Sequence, residues 1–174
     1  MNNLLADLDH EFRRHKRLAD SAMATLDDDA FFQRPAAAVN PIALIVKHLA
    51  GNLVSRFTDF LTSDGEKPSR HRDGEFLLRE GDTHAALLAA WEQGWSTLLD
   101  TLGNLQEADL GRTVTIRGEP HTARQALLRS ATHVAYHVGQ ILYVARMQRP
   151  DAPWLTIAPG ASKEHRKGGY RKTP

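Results

Sequence analysis

Hydrophobic residues recur every three or four positions in four long segments of the chain, and each segment predicts an amphipathic helix. The predicted helices cover residues 3–26, 41–61, 83–102 and 123–148. Asn40 and Pro41 fit the start of the second helix, and Thr122 with Gln125 forms a capping-box pattern at the start of the fourth. Pro150 stops the fourth helix. Four such helices of about 20 residues predict an all-α fold, a four-helix bundle.

The segments between the helices differ in character. Residues 62–81 form a long, charged link between the second and third helices, and its length allows these helices to lie parallel or as non-adjacent neighbours. Residues 113–122 alternate between apolar and polar side chains and contain a turn sequence, which is typical of a small hairpin before the fourth helix. The acidic run at residues 27–29 predicts a polar turn after the first helix.

The pattern predicts one bundle domain and a tail. Residues 1–148 form the bundle, and residues 149–174 form a basic tail with several prolines and glycines that packs on the bundle or extends from it. Trp154 and Leu155 are the tail residues that we expect to fold back. The basic residues of the tail are Lys163, Arg166, Lys167, Arg171 and Lys172.

Composition narrows the function classes. The chain has 174 residues, with 22 basic and 21 acidic side chains, so its net charge of +1 gives no reason to expect a nucleic-acid partner. The absence of cysteine excludes disulfides, thiolate metal ligands and a cysteine nucleophile. No apolar run approaches the roughly 20 residues of a membrane span. Asp7 and Asp9 stand where an export signal would be basic, so we expect a cytoplasmic protein without a membrane partner.

The histidine spacing is the first chemical signal. His133 and His137 are four residues apart on a predicted helix, so their imidazoles lie on one face and can share a metal ion. Neutral imidazole suits zinc, nickel, iron or copper. Nine histidines in a chain of this length give about 0.5 such pairs by chance at the helical spacing. The pair alone is therefore a weak signal.

A third histidine strengthens the signal for a metal site. At about 100° per residue, His133 and His137 lie about 80–120° to one side of the apolar stripe of the fourth helix. His48 lies about 130° to the same side of the stripe of the second helix. Both flanks could face a common cleft, which predicts a divalent metal held by His48, His133 and His137. The other interpretation, polar flank residues or hydrogen-bonded interior histidines, stays open.

Two sequence blocks carry a family resemblance. Residues 40–52 place His48 near the start of the second helix, and residues 133–141 begin with the H-x-x-x-H pair. Together they resemble the DinB-like family of four-helix bundles, which are described as metal-dependent enzymes. Residues 55–68 resemble one uncharacterised branch of it. The resemblance covers about residues 1–148.

The resemblance implies a function as well as a fold. It implies a three-histidine site for a divalent metal, commonly zinc or nickel, with open positions for water or substrate, and often a homodimer. Characterised relatives are thiol-dependent transferases and isomerases, and others are hydrolases. We therefore expect a transferase or hydrolase that acts on a small-molecule substrate. Any thiol must be a low-molecular-weight cosubstrate, because the chain has no cysteine.

Two other functions remain open beside the enzyme. One is a non-catalytic helical module that binds a metal or small ligand, and the other is a helical interaction module with structural histidines. Metal content distinguishes the interaction module from the other two. Turnover with a thiol distinguishes the enzyme from the binding module.

Several polar residues have more than one interpretation. Arg56 lies on the apolar stripe of the second helix, so we expect an internal ion pair with Asp73 or Glu75 in preference to substrate binding. Asn52 and Gln140 could hydrogen-bond the metal ligands, but their usual exposure favours plain surface residues.

Two further histidines and two tryptophans fall on apolar stripes. His15 and His84 are expected to be core histidines in preference to a fourth metal ligand. Trp91 and Trp95, four residues apart, indicate core packing or a dimer interface. No residue is assigned as a general base.

Overall fold

The computed structural model describes residues 3–165 of the chain. The helices are α1 (Leu4–Met23), α2 (Asp28–Phe32), α3 (Ile42–Phe57), α4 (His84–Asn104), α5 (Ala123–Gln148) and α6 (Ser162–His165), and the strands are β1 (Thr113–Ile116) and β2 (Glu119–Thr122). Two short 3-10 turns lie at Arg72–Phe76 and Glu107–Gly111. Within residues 3–165, no helix has both the length and the apolar character needed to cross a bilayer.

The four long helices form the predicted bundle. Helix α3 packs against α4 and α5, and α1 packs against α5 and α4. Phe12, Trp91 and Trp95 fill the centre of the bundle, and the two indole rings meet edge to face at 5.4 Å. Both tryptophans are fully buried within the chain, so core packing is the correct one of their two interpretations.

Helices α3 and α4 approach each other closely at Gly94. A Cβ atom at this position would lie 3.0 Å from the carbonyl oxygen of Ala50 and 3.1 Å from its Cα. Only glycine leaves room for this approach without displacing backbone atoms. The close contact fixes α3, the helix that carries His48, against the rest of the bundle.

Helices α2 and α3 differ most from the prediction, and α1 and α4 end at Met23 and Asn104 in place of the predicted residues 26 and 102. Asp27 caps the short helix α2, so the acidic run starts a helix and the predicted turn is wrong. Helix α3 begins at Ile42 with Pro41 as its cap residue, one position later than predicted. It ends at Phe57, well before the predicted residue 61. The chain then adopts the left-handed conformation at Asp59, where φ is 50°, and leaves the helical path.

The predicted hairpin is present and is bound to the long link. Strands β1 and β2 are antiparallel, with Ile116 opposite Glu119. The turn residues Arg117 and Gly118 both have positive φ, at 57° and 77°, as in a type I′ turn. The Asp64 carboxylate accepts hydrogen bonds from both of their backbone N–H groups, at 2.9 and 2.8 Å. The link therefore holds the hairpin beside the end of α3.

The described part of the tail lies on the bundle. Leu155 packs against the core, and the guanidinium of Arg146 lies 4.5 Å from the centre of the Trp154 ring. The other predicted basic residues of the tail, Arg166, Lys167, Arg171 and Lys172, lie outside the described residues.

Candidate metal centre

The three predicted histidines meet between α3 and α5. His48 comes from α3, and His133 and His137 lie one turn apart on α5. The Nε2 atom of His133 is 3.3 Å from Nε2 of His48 and 3.1 Å from Nε2 of His137. One ring nitrogen from each histidine lies within 4.8 Å of the other two. The helical spacing and the packing of α3 on α5 thus produce one cluster of three nitrogen donors.

A buried carboxylate orients His48. Its Nδ1 atom donates a hydrogen bond to Oε2 of Glu75 at 2.8 Å, and Glu75 is only 7% exposed. Arg70 binds both oxygens of this carboxylate, each at 2.8 Å. Phe76 packs against the His48 ring, with the ring centres 4.7 Å apart. Gly51 makes room for the carboxylate, because a Cβ atom there would overlap Oε1 of Glu75.

Glu75 is therefore held as a carboxylate. Burial raises its pKa, but the hydrogen bonds from His48 and Arg70 lower the pKa by more, so the net shift is downward. An ionised carboxylate only accepts hydrogen bonds, which places a proton on Nδ1 of His48; in the neutral imidazole this tautomer leaves the lone pair on Nε2.

His137 is oriented within its own helix. Its Nδ1 atom donates to Oε1 of Gln140 at 2.8 Å. The ring of Tyr136 packs beside the imidazole, with the ring centres 4.5 Å apart. As with His48, a proton on Nδ1 leaves the Nε2 lone pair directed at the cluster.

The three Nε2 atoms of the cluster carry too few protons for a hydrogen bond between each neighbouring pair. Burial, with the neighbouring His137 and His48, lowers the pKa of His133 to about 3. Burial lowers the pKa of His137 to about 4, although the bond to Gln140 raises it. Both rings are therefore neutral at neutral pH. His133 can donate from Nε2 to at most one of two acceptor nitrogens, so at least one lone pair faces another nitrogen without a proton between them.

A divalent cation fits this arrangement. Two metal–nitrogen bonds of about 2.05 Å at a tetrahedral angle separate the nitrogens by about 3.3 Å. Two of the three separations are 3.3 and 3.1 Å, and the third, between His48 and His137, is within 4.8 Å. Three histidine ligands would leave coordination positions open for water or another ligand.

A cavity opens beside the cluster. It has a volume of about 190 Å³ and is lined in part by His48 and His133. Two further polar residues in its wall, Asn52 and Ser130, are buried. The cavity gives a small molecule access to the histidines.

The structure corrects the expected partner of Arg56. An internal ion pair is present, but it joins Nη2 of Arg56 to Oε2 of Glu66 at 3.2 Å. Asp73 is exposed, and Glu75 is engaged by the histidine and arginine described above. As predicted, the partner of Arg56 comes from the link, but it is Glu66, which lies nearer to α3 along the chain than Asp73 and Glu75 do. The contact between Glu75 and His48 was not predicted, because no helical spacing relates a loop residue to a helix.

Asn52 and Gln140 are not the plain surface residues that their residue types favoured. Gln140 hydrogen-bonds His137, and Asn52 is 7% exposed in the wall of the cavity. For Gln140 the alternative interpretation, a residue that orients a candidate ligand, is the correct one.

Neither His15 nor His84 belongs to the cluster. Nδ1 of His15 donates to the backbone oxygen of Glu11 at 2.7 Å. Nδ1 of His84 lies 2.7 Å from the Asp28 carboxylate, and its ring stacks on Phe31 at 4.0 Å. Both histidines are half-buried at the margin of the core, and neither supplies a fourth ligand.

The chain has a DinB-like helical fold. The chain is similar to the crystal structure of a DinB-like protein, YjoA, from Bacillus subtilis, with a TM-score of 0.54 and 19% sequence identity; the match covers 85% of this chain and 96% of that one. This similarity confirms the predicted fold. Residues 1–161 match the family described as protein of unknown function, DUF1572, and the chain belongs to this family. A comparison with curated proteins finds no match.

Proposed function

We propose that this protein is a divalent-metal-dependent enzyme that acts on a small molecule, with His48, His133 and His137 as the metal ligands. The observation that carries the proposal is the convergence of three Nε2 atoms beside an open cavity. These atoms carry too few protons to hydrogen-bond one another at both contacts. Zinc and nickel are the metals we expect, since neutral imidazole suits both. The resemblance of the two histidine blocks to DinB-like enzymes supports the same assignment.

The reaction that we propose is thiol transfer or hydrolysis. When bound, such a metal would lower the pKa of a water molecule or hold a thiol as its thiolate. The chain has no cysteine, so the thiol would be a low-molecular-weight cosubstrate.

The residues of the chain supply orientation and access. Glu75 and Gln140 hold the Nδ1 protons of two ligands and thereby fix the ring orientations. Asn52 and Ser130 offer hydrogen-bonding groups from the cavity wall. A volume of about 190 Å³ equals that of about six water molecules, which suits a small substrate or one end of a larger one.

Metal content tests the ligand assignment. Elemental analysis compares untagged wild-type protein with His48→Ala, with the double variant His133→Ala/His137→Ala, and with His15→Ala as a histidine control outside the cluster. We expect about one metal per chain in the wild type and control, and loss of the metal in both cluster variants with their helical circular dichroism retained. A wild type that stays metal-free after incubation with zinc, nickel, iron or manganese would overturn the proposal.

Turnover separates an enzyme from a metal-binding module. The metal-loaded protein is assayed with small thiols and an electrophilic acceptor, and separately with an activated ester. We expect metal-dependent turnover in one assay and its loss in His48→Ala. A bound metal with turnover in neither assay would favour the non-catalytic binding module.

We also propose a cytoplasmic homodimer. The absence of cysteine and the balanced charge support a cytoplasmic location, and the family resemblance supports the dimer. Light scattering after size-exclusion chromatography measures the mass in solution; a mass near 19.4 kDa would contradict the dimer.

A further inference from the structure

The cavity beside the histidines has an unusually cationic wall. Five arginines line it, and they come from α3, the long link, the hairpin turn and α5. They are Arg56, Arg70, Arg72, Arg117 and Arg129. Arginines so grouped repel one another, so the arrangement needs compensating negative charge.

Two carboxylates of the link compensate part of this charge. Glu66 lies 3.2 Å from Arg56, 3.3 Å from Arg70 and 3.1 Å from Arg117. Glu75 binds Arg70 and is also engaged by His48. Three arginines therefore share two carboxylates, one of which also serves a histidine.

The other two arginines have no buried carboxylate partner within the described residues. Arg72 lies 3.5 Å from Asp73, whose side chain is 91% exposed. Arg129 contacts an imidazole, with Nη1 3.3 Å from Nε2 of His121. Exposed ion pairs contribute little, so positive charge remains at both positions.

Arg56 shows the same excess of positive charge. Its Nη1 atom is buried and has no hydrogen-bond partner among the described residues. Burial lowers the pKa of Arg56, the Glu66 carboxylate raises it, and the neighbouring arginines lower it further. A buried guanidinium is costly, and an anion in the cavity that Arg56 lines would offset the positive charge of this side chain.

We propose that this cavity binds the carboxylate or phosphate group of a small anionic molecule and holds it beside the histidine cluster. The planar guanidinium groups of Arg72 and Arg129, which line the cavity, match the oxygens of such an anion. The cavity volume accommodates phosphate or a short dicarboxylate. This inference names the substrate class of the proposed enzyme. Anion binding by arginines needs no metal, so it does not depend on the proposed enzyme activity. Only the conclusion that the bound anion is a substrate rests on that activity.

Calorimetry on the metal-free, full-length protein tests the proposal. Inorganic phosphate and succinate are titrated separately at low salt in a cationic buffer, where chloride and buffer anions compete least. We expect saturable binding, and the tighter of the two ligands shows whether phosphate or carboxylate is preferred. Loss of one charge-assisted contact in Arg129→Gln should weaken binding about tenfold. Arg124→Gln is the matched control, since Arg124 is exposed on the same helix and lies outside the cavity.

A second variant tests the buried guanidinium. Arg56→Gln should weaken binding at least as much as Arg129→Gln, but it also removes a partner of Glu66, so its fold is checked by circular dichroism. Arg129 is exposed, and its variant keeps the test decisive if Arg56→Gln does not fold. No binding of either anion by the wild type at millimolar concentration, or equal weakening by Arg129→Gln and Arg124→Gln, would overturn the inference. Metal content measured on the arginine variants should stay at the wild-type level. Loss of anion binding is thereby distinguished from loss of the metal site.

Discussion

The Glu75 carboxylate accepts a hydrogen bond from Nδ1 of His48 at 2.8 Å, and this contact joins the long link to helix α3. The same carboxylate is clamped by Arg70, whose side chain is 4% exposed. The link therefore sets the orientation of an imidazole that a helix carries.

Replacing Glu75 with glutamine should weaken metal binding. The neutral amide withdraws the negative charge that fixes the His48 tautomer, and it leaves Arg70 buried without its ionised partner. We expect zinc affinity to fall about 10–100-fold, measured by competition with a chromophoric chelator. Asp73→Asn is the control, because Asp73 is an exposed carboxylate on the same turn. Equal zinc affinities for Glu75→Gln and the wild type would show that Glu75 does not orient the ligand.

An alanine at Gly51 should displace the same carboxylate. Its Cβ atom would overlap Oε1 of Glu75, and overpacking of this kind costs about 1–3 kcal/mol, more than the roughly 1 kcal/mol that alanine adds to a helix. We expect a lower melting temperature and weaker zinc binding. In Gly103→Ala the added Cβ atom has open space, so we expect neither a lower melting temperature nor weaker zinc binding. A Gly51→Ala protein that binds zinc as tightly as wild type would contradict the prediction.

Asp64→Asn should destabilise the protein in a pH-dependent way. Hydrogen bonds from the backbone N–H groups of Glu66 and Gly118 lower the pKa of Asp64 to about 2. The ionised form is therefore favoured in the folded state, and its contribution is complete above about pH 4 and lost as the pH falls through about 2. We expect the variant to lose about 1–3 kcal/mol of unfolding free energy at pH 7.

Urea unfolding at pH 7, 4, 3 and 2.5 measures this loss. The difference between wild type and Asp64→Asn should narrow towards the lowest pH, because the wild-type carboxyl then takes up its proton. The exposed carboxylate variant Asp73→Asn should show little difference at any pH. A constant difference across the range would mean that the carboxylate charge is not what stabilises the hairpin turn.

Gly94→Ala should separate α3 from α4. The added Cβ atom would press on the backbone of Ala50, which cannot rotate away as a side chain can. We expect a net loss of about 1 kcal/mol or more, since the overpacking cost exceeds the gain in helix propensity. Gly139→Ala on α5, where a Cβ atom meets open space, should instead gain up to about 1 kcal/mol. Thermal unfolding compares the two, and stabilisation by both substitutions would show that the helices can move apart freely.

The helices that the sequence predicts best are those with a local signal at each end. Helix α5 spans residues 123–148 as predicted, because Thr122 and Gln125 form the capping box that their spacing indicates. Helix α2 was missed, since five residues are too few for an apolar periodicity and Asp27 suits a turn as well as a cap. Local chemistry thus predicts long capped elements and leaves short ones ambiguous.

For the candidate site, the sequence predicts the histidines and misses their surroundings. His133 and His137 share a helical face by spacing alone, and the flank of His48 follows from the same periodicity. Glu75 and three of the cavity arginines, Arg70, Arg72 and Arg117, reach the site from loops whose path depends on tertiary contacts, such as the bonds of Asp64 to the hairpin. Periodicity carries no information about these positions.

Two kinds of backbone build this site, and they can change separately. The nitrogen donors belong to helices that the bundle core fixes, whereas Glu66, Arg70, Arg72 and Glu75 belong to the link between α3 and α4. Exchanging the link residues other than Arg70 and Glu75 would alter the charge and shape of the cavity wall, while the helical donors and the contact that orients His48 stay in place. The scaffold therefore separates a constant histidine cluster from a variable cavity wall. A library confined to residues 58–83, with Arg70 and Glu75 kept, is the direct route to a protein of this fold that binds a chosen ligand.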